Sequence, residues 1–188
     1  MRAIDRSITL LAKFNAPITR WGRSLAAVLL ALMVALAIAQ IVSRATFSYT
    51  LDWAEELARM ALVWSVLLVA PYAYRVGAHV AIGSFAEALP RAMLVWISVL
   101  INLLVIWICA IFLMQSAGLV QRGLTIVSST MQFQIAWVYS IVPVALAMLV
   151  LVGIELVLRL LRAALQGDPD GLLRTGVASV PVDEPQAR

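Results

Sequence analysis

The residues able to do chemistry in this chain are few, and their spacing says what kind. Asp52, Glu55, Glu56 and Arg59 stand in one short run beside Trp53. On a helix these four charges fall within an arc of about 100°, set by the 3.6-residue repeat. Asp52 is placed to cap such a helix, with Glu55 three residues later as in a capping box. Glu55 and Glu56 precede Arg59 by four and three residues, spacings that allow intrahelical ion pairs. Self-neutralisation accounts for much of the cluster. Three acids against one base still leave negative charge, and at a membrane boundary that excess can seek a basic residue on another polypeptide. A second group, Arg75, Gly77 and His79, reads as a turn, with Gly77 where a Cβ would crowd the backbone.

Other chemistry is excluded by composition. The chain has one His and one Cys. An internal disulfide is impossible, and a bis-histidine haem would need ligands from a partner. A zinc site needs three or four ligands, and no His/Cys cluster exists. No phosphate-binding glycine loop is present. The expectation is therefore no enzyme, no cofactor and no metal. Cys109, midway along an apolar run, reads as a small packing residue. His79 reads as an interfacial residue without a titration role.

The elements that position these residues are membrane helices. Of 188 residues, 63% are hydrophobic and 13% charged, more apolar surface than a soluble domain of this size can hide. A bilayer core about 30 Å thick takes roughly 20 apolar residues per helix. Four runs qualify: 24–43, 57–74, 92–120 and 135–158. The third exceeds the minimum and should tilt or protrude. The fold class is thus all-α, an integral membrane protein with four transmembrane helices. Inside the spans, Gln40, Asn102 and Gln115 are available for hydrogen bonds between helices. Glu155 stands four residues before Arg159, so it can pair locally. Pro71 falls near the end of the second helix, and Pro143 should bend the fourth.

Charge placement gives an orientation. Arg2, Arg6, Lys13, Arg20 and Arg23 precede the first span, Arg75 and Arg91 flank the second connection, and Arg159 and Arg162 follow the fourth span. Only Arg44, Arg59 and Arg122 lie on the other side. Basic residues are retained in the cytoplasm, so both termini are expected there. The net charge of +4 is spread over membrane flanks and calls for lipid, not nucleic acid. Residues 1–23 form a basic segment in which Ile4, Ile8, Leu11 and Ile18 recur near helical spacing, compatible with an amphipathic helix in the interface or with a basic tail, since Pro17 interrupts the pattern. Residues 24–162 are the membrane domain, and 163–188 read as a disordered cytoplasmic tail.

Taken in order, these features resemble a family. Phe47-Ser48-Tyr49 follows the first span; Trp53-Ala54-Glu55-Glu56-Leu57-Ala58-Arg59 is similar to a W-x-E-E-x-x-R helix entrance; Trp64 sits in the second helix. Arg75-Val76-Gly77-Ala78-His79-Val80 is similar to an R-x-G-x-H-[IV] turn, and 128–143 leads through polar residues to Tyr139 and Pro143. Over roughly residues 20–165 the chain resembles the small membrane subunit, or DctQ family, of tripartite ATP-independent periplasmic (TRAP) transporters. It departs at Gly83, near which the family often has Asp. The resemblance implies a scaffold subunit in the bacterial inner membrane with no substrate site of its own. It implies a large membrane transport subunit as partner, a periplasmic substrate-binding protein, and sodium-coupled uptake of an organic acid. Glu55, Glu56 and Arg59, with Asp52 and Trp53, would then face the large subunit, and Arg75, Gly77 and His79 would shape the cytoplasmic turn. Two other classes compete: a self-sufficient dimeric transporter, which would need an embedded carboxylate, and the membrane anchor of a redox complex, which the single His disfavours.

Overall fold

The computed structural model describes residues 2–47, 49–76, 91–128, 130 and 132–166. Gly77 and His79 of the expected turn, Gly83 and the tail from 167 lie outside the described residues. Five helices account for nearly all of what is described: α1 (Arg2–Phe47), α2 (Asp52–Arg75), α3 (Arg91–Thr125), α4 (Ala136–Tyr139) and α5 (Ile141–Gln166). Among the described residues there is no strand. Four stretches are long and apolar enough to cross a membrane: Asp5–Phe47, Asp52–Arg75, Trp96–Thr125 and Ala136–Arg162. The four-span, all-α architecture expected from the apolar runs is the one observed.

α1 joins the basic segment and the first span into a single helix of 46 residues. At 1.5 Å per residue it is about 69 Å long, more than the roughly 45 Å of a bilayer with its headgroups. Pro17 interrupts the hydrogen bonding without ending the helix. Close by, the Thr19 hydroxyl donates to the Asn15 carbonyl at 2.8 Å.

The helices run up and down. α2 packs along α1, and α5 packs against α1, α2 and α3. α5 is the most enclosed span and α1 the least. Glycine sets the closest approaches. A Cβ on Gly22 of α1 would stand 2.9 Å from the Leu68 carbonyl oxygen of α2, and one on Gly153 of α5 would stand 2.7 Å from Ile106 of α3. Around Gly153, Tyr74, Val152 and Leu156 form the buried core, with Val105 and Leu149 packed against them.

Between α3 and α4 the chain makes a small hairpin. The Ser128 amide donates to the Phe133 carbonyl (2.9 Å) and the Ile135 amide to the Ile126 carbonyl (3.0 Å). Gln132 turns the chain at φ 53°, an unusual left-handed conformation for a non-glycine residue. Pro143 explains why α4 and α5 are separate. It has no amide to offer the Tyr139 carbonyl, and its ring crowds that carbonyl. The helix breaks at Ser140, whose hydroxyl donates to the Trp137 carbonyl at 2.7 Å.

Candidate partner-binding site

At the end of the bundle carrying the α1–α2 connection, the sequence-expected cluster is assembled on one helix entrance. α2 starts at Asp52, with Leu51 in the cap position and no side-chain cap. The expected capping box is therefore absent. Asp52 lies one residue too far inside to cap, and its charge meets the positive end of the helix dipole instead. The first turn is closed by backbone alone, the Ala54 amide donating to the Leu51 carbonyl at 2.9 Å.

Glu55 and Arg59 form the expected pair at 3.0 Å, both largely exposed. Exposure makes such a pair worth only about 0.2–1 kcal/mol. Gln40 of α1 reaches Glu55 at 3.5 Å, linking the two helices loosely. Asp52 and Trp53 are exposed. Glu56 differs. Its side chain is half-buried, and its Oε2 is shielded from solvent without a hydrogen-bond partner among the described residues. A carboxylate oxygen removed from water and left unmatched is costly, and a donor from outside the chain would relieve it.

The opposite end holds a second cluster that sequence reasoning only half saw. Glu155 of α5 is 1% exposed. Its Oε1 accepts from Arg159 at 2.6 and 3.1 Å and from Arg75 of α2 at 3.2 Å. Its Oε2 accepts from Asn15 of α1 at 2.8 Å, and Asn15 is wholly buried. The local Glu155–Arg159 pair was legible from spacing. Arg75 and Asn15 were not, because they are 80 and 140 residues away. Arg75, read as part of a turn, is the last residue of α2 and belongs to this staple.

Around the staple lie further cross-links between helices. Asp5 pairs with Arg162 at 2.8 Å, so α1 and α5 are joined again nearer their ends. Arg23 lies over the Tyr72 ring at 4.7 Å and donates to its hydroxyl at 2.8 Å. The Tyr74 hydroxyl donates to Asn102 at 2.6 Å, fulfilling the expectation that Asn102 bonds between helices. Gln115 instead borders a groove between α3 and α5.

Chemically, the two ends differ. The Glu155 carboxylate is already held by two guanidiniums and an amide, so it is committed to joining α1, α2 and α5. The entrance of α2 has a charged acceptor to spare in Glu56 Oε2, whereas the acceptor left over at the staple end is the neutral amide oxygen of Asn15, likewise shielded and without a partner among the described residues. A family model described as "Tripartite ATP-independent periplasmic transporters, DctQ component" matches residues 33–163. That stretch takes in the α2 entrance, Arg75 and Glu155. No curated protein and no solved structure matches the chain.

Proposed function

Because the chain belongs to the DctQ family of TRAP-transporter components, we propose that it holds a large transport subunit through the entrance of α2. Family and fold make it a small, multi-pass membrane subunit of the bacterial inner membrane, in a family of transporter components, not enzymes. In the proposed assembly the small subunit supports the large one and helps dock a periplasmic substrate-binding protein. The large subunit carries out sodium-coupled uptake of an organic acid. Arg75, with Gly77 and His79 just after it, ends the second span on the cytoplasmic side.

The observation that carries the docking role is the unmatched Oε2 of Glu56. It stands beside a Glu55–Arg59 pair that already satisfies itself. A basic residue or an amide donor on the large subunit would complete Glu56, while Asp52, Trp53, Glu55 and Arg59 form the rim. The test is co-purification of the large subunit with tagged full-length chain, alongside uptake in cells. Replacing Glu55 and Glu56 together with Gln should weaken assembly by about 2 kcal/mol or more, roughly thirtyfold in affinity. Normal assembly and normal transport in that variant would remove these residues from the interface.

A further inference from the structure

Between α3 and α5 runs a groove of about 440 Å³, a size typical of small-molecule sites. Its walls are mostly apolar, from Phe112 and Leu119 of α3 and Val142 and Leu146 of α5, with Gln115 and Ser116 between them and Arg122 at one end. The Ser116 hydroxyl is spent on the Leu113 carbonyl. Arg122 lies in the last turn of α3, where the apolar span Trp96–Thr125 finishes. Leu119 and Phe112 lie about 4.5 and 15 Å deeper along the helix, at 1.5 Å per residue. The groove therefore has one charge, at headgroup level, and below it a mostly hydrocarbon lining with a single exposed amide, Gln115.

Arg122 is also the one charged residue between Arg91 and Glu155. It is exposed and makes no ion pair among the described residues, whereas Arg59, Arg75, Arg159 and Arg162 each hold an acid. A guanidinium at this depth matches a phosphate, which it can bind through two parallel hydrogen bonds.

Gly118 supplies a second, independent observation. Glycine weakens a helix interior relative to alanine, so its presence needs a reason. Gly22, Gly123 and Gly153 each have one, since an added Cβ would meet an atom of this chain at 2.9, 2.8 and 2.7 Å. At Gly118 it would meet nothing within 4 Å. The missing side chain deepens the groove for something that comes from outside the chain.

The geometry points to a bound phospholipid, its phosphate on Arg122 and an acyl chain past Gly118 against Leu119, Phe112, Val142 and Leu146. A spanning helix of a protein partner would need a trough through the whole hydrocarbon core, about 30 Å. This groove covers only residues 112–122 of α3 and 142–146 of α5, about half that depth.

Native mass spectrometry of the full chain, released from nanodiscs of phosphatidylethanolamine and phosphatidylglycerol, tests this. The wild-type chain should carry one retained phospholipid. Gly118→Phe, which enters open space and leaves the fold intact, should lose it. Arg122→Gln should lower its occupancy roughly fivefold, the worth of one basic contact at a membrane surface. Co-purification of the large subunit should be unchanged in both variants. A wild-type chain without retained lipid, or lipid kept equally in Gly118→Phe, overturns the proposal. Unchanged occupancy in Arg122→Gln overturns the headgroup assignment. Loss of the large subunit in Gly118→Phe overturns it in favour of a protein occupant, and leaves the role of Glu56 to its own test.

Discussion

Glu155 and Glu55 each pair with an arginine four residues on, yet their surroundings give the two carboxylates opposite weights. Glu55 and its partner are mostly in water, at 58% and 73% exposure, whereas Glu155 is sealed at 1%. Removing a member of a fully buried pair costs about 3–5 kcal/mol. Because the arginines Glu155 would leave behind are 23% and 36% exposed, its loss falls toward the lower end of that range. Removing an exposed one costs about 0.2–1 kcal/mol. Glu155→Ala should therefore lower the thermal unfolding midpoint of the detergent-solubilised chain sharply, while Glu55→Ala leaves it nearly unchanged. Equal midpoints would mean that Glu155 is not the staple its contacts describe. The sequence made the two look alike, since a four-residue spacing is visible and burial is not. One hint was present: an ionisable residue within an apolar run is expensive and demands partners. Nothing in the sequence pointed to Asn15, because a contact across 140 residues has no local signature.

At the scale of the helix, glycine positions that look equivalent in the sequence separate into two kinds. Gly22 faces the backbone of α2, and Gly123 faces the backbone of Ala136. Backbone cannot swing aside as a side-chain tip can, so Gly22→Ala and Gly123→Ala overpack and should each destabilise by about 1–3 kcal/mol. Gly118→Ala meets open space and should stabilise α3 by about 0.5–1 kcal/mol through its greater helix preference. Thermal melts of the three variants in one detergent give the comparison, and destabilisation by Gly118→Ala would contradict the open groove. The helices themselves were legible because a bilayer demands long, nearly uncharged runs, and 92–120 and 135–158 have almost no alternative reading. Their ends were less so. The basic residues before Ser24 mark a change of solvent, not a change of backbone, and α1 continues straight through them. The break at Ser140 was announced by Pro143 as a bend, since proline tells where a bond is lost but not how the flanking turns resettle.

Over the whole molecule the two polar clusters sit at opposite ends of the bundle, and their roles depend on which end faces which compartment. Four membrane-crossing helices in alternating direction bring the start of α1 and the end of α5 to one side, where Asp5 meets Arg162. The excess of basic residues flanking that side predicts that it is cytoplasmic. The α2 entrance and the 126–135 hairpin would then face the periplasm, within reach of a soluble binding protein. Cysteine accessibility checks this. In a Cys109→Ser background, Thr50→Cys and Thr130→Cys, both exposed, should react with a membrane-impermeant maleimide in cells with a permeable outer membrane. Ala164→Cys, exposed near the end of α5, should react only once the inner membrane is opened. The reverse pattern would put Glu56 in the cytoplasm. It could still meet the large subunit there, since that partner spans the membrane, but the same surface could no longer help seat a periplasmic protein. The labelling therefore separates the two halves of the proposed role, subunit binding from binding-protein docking, which the structure of one chain joins at a single helix entrance.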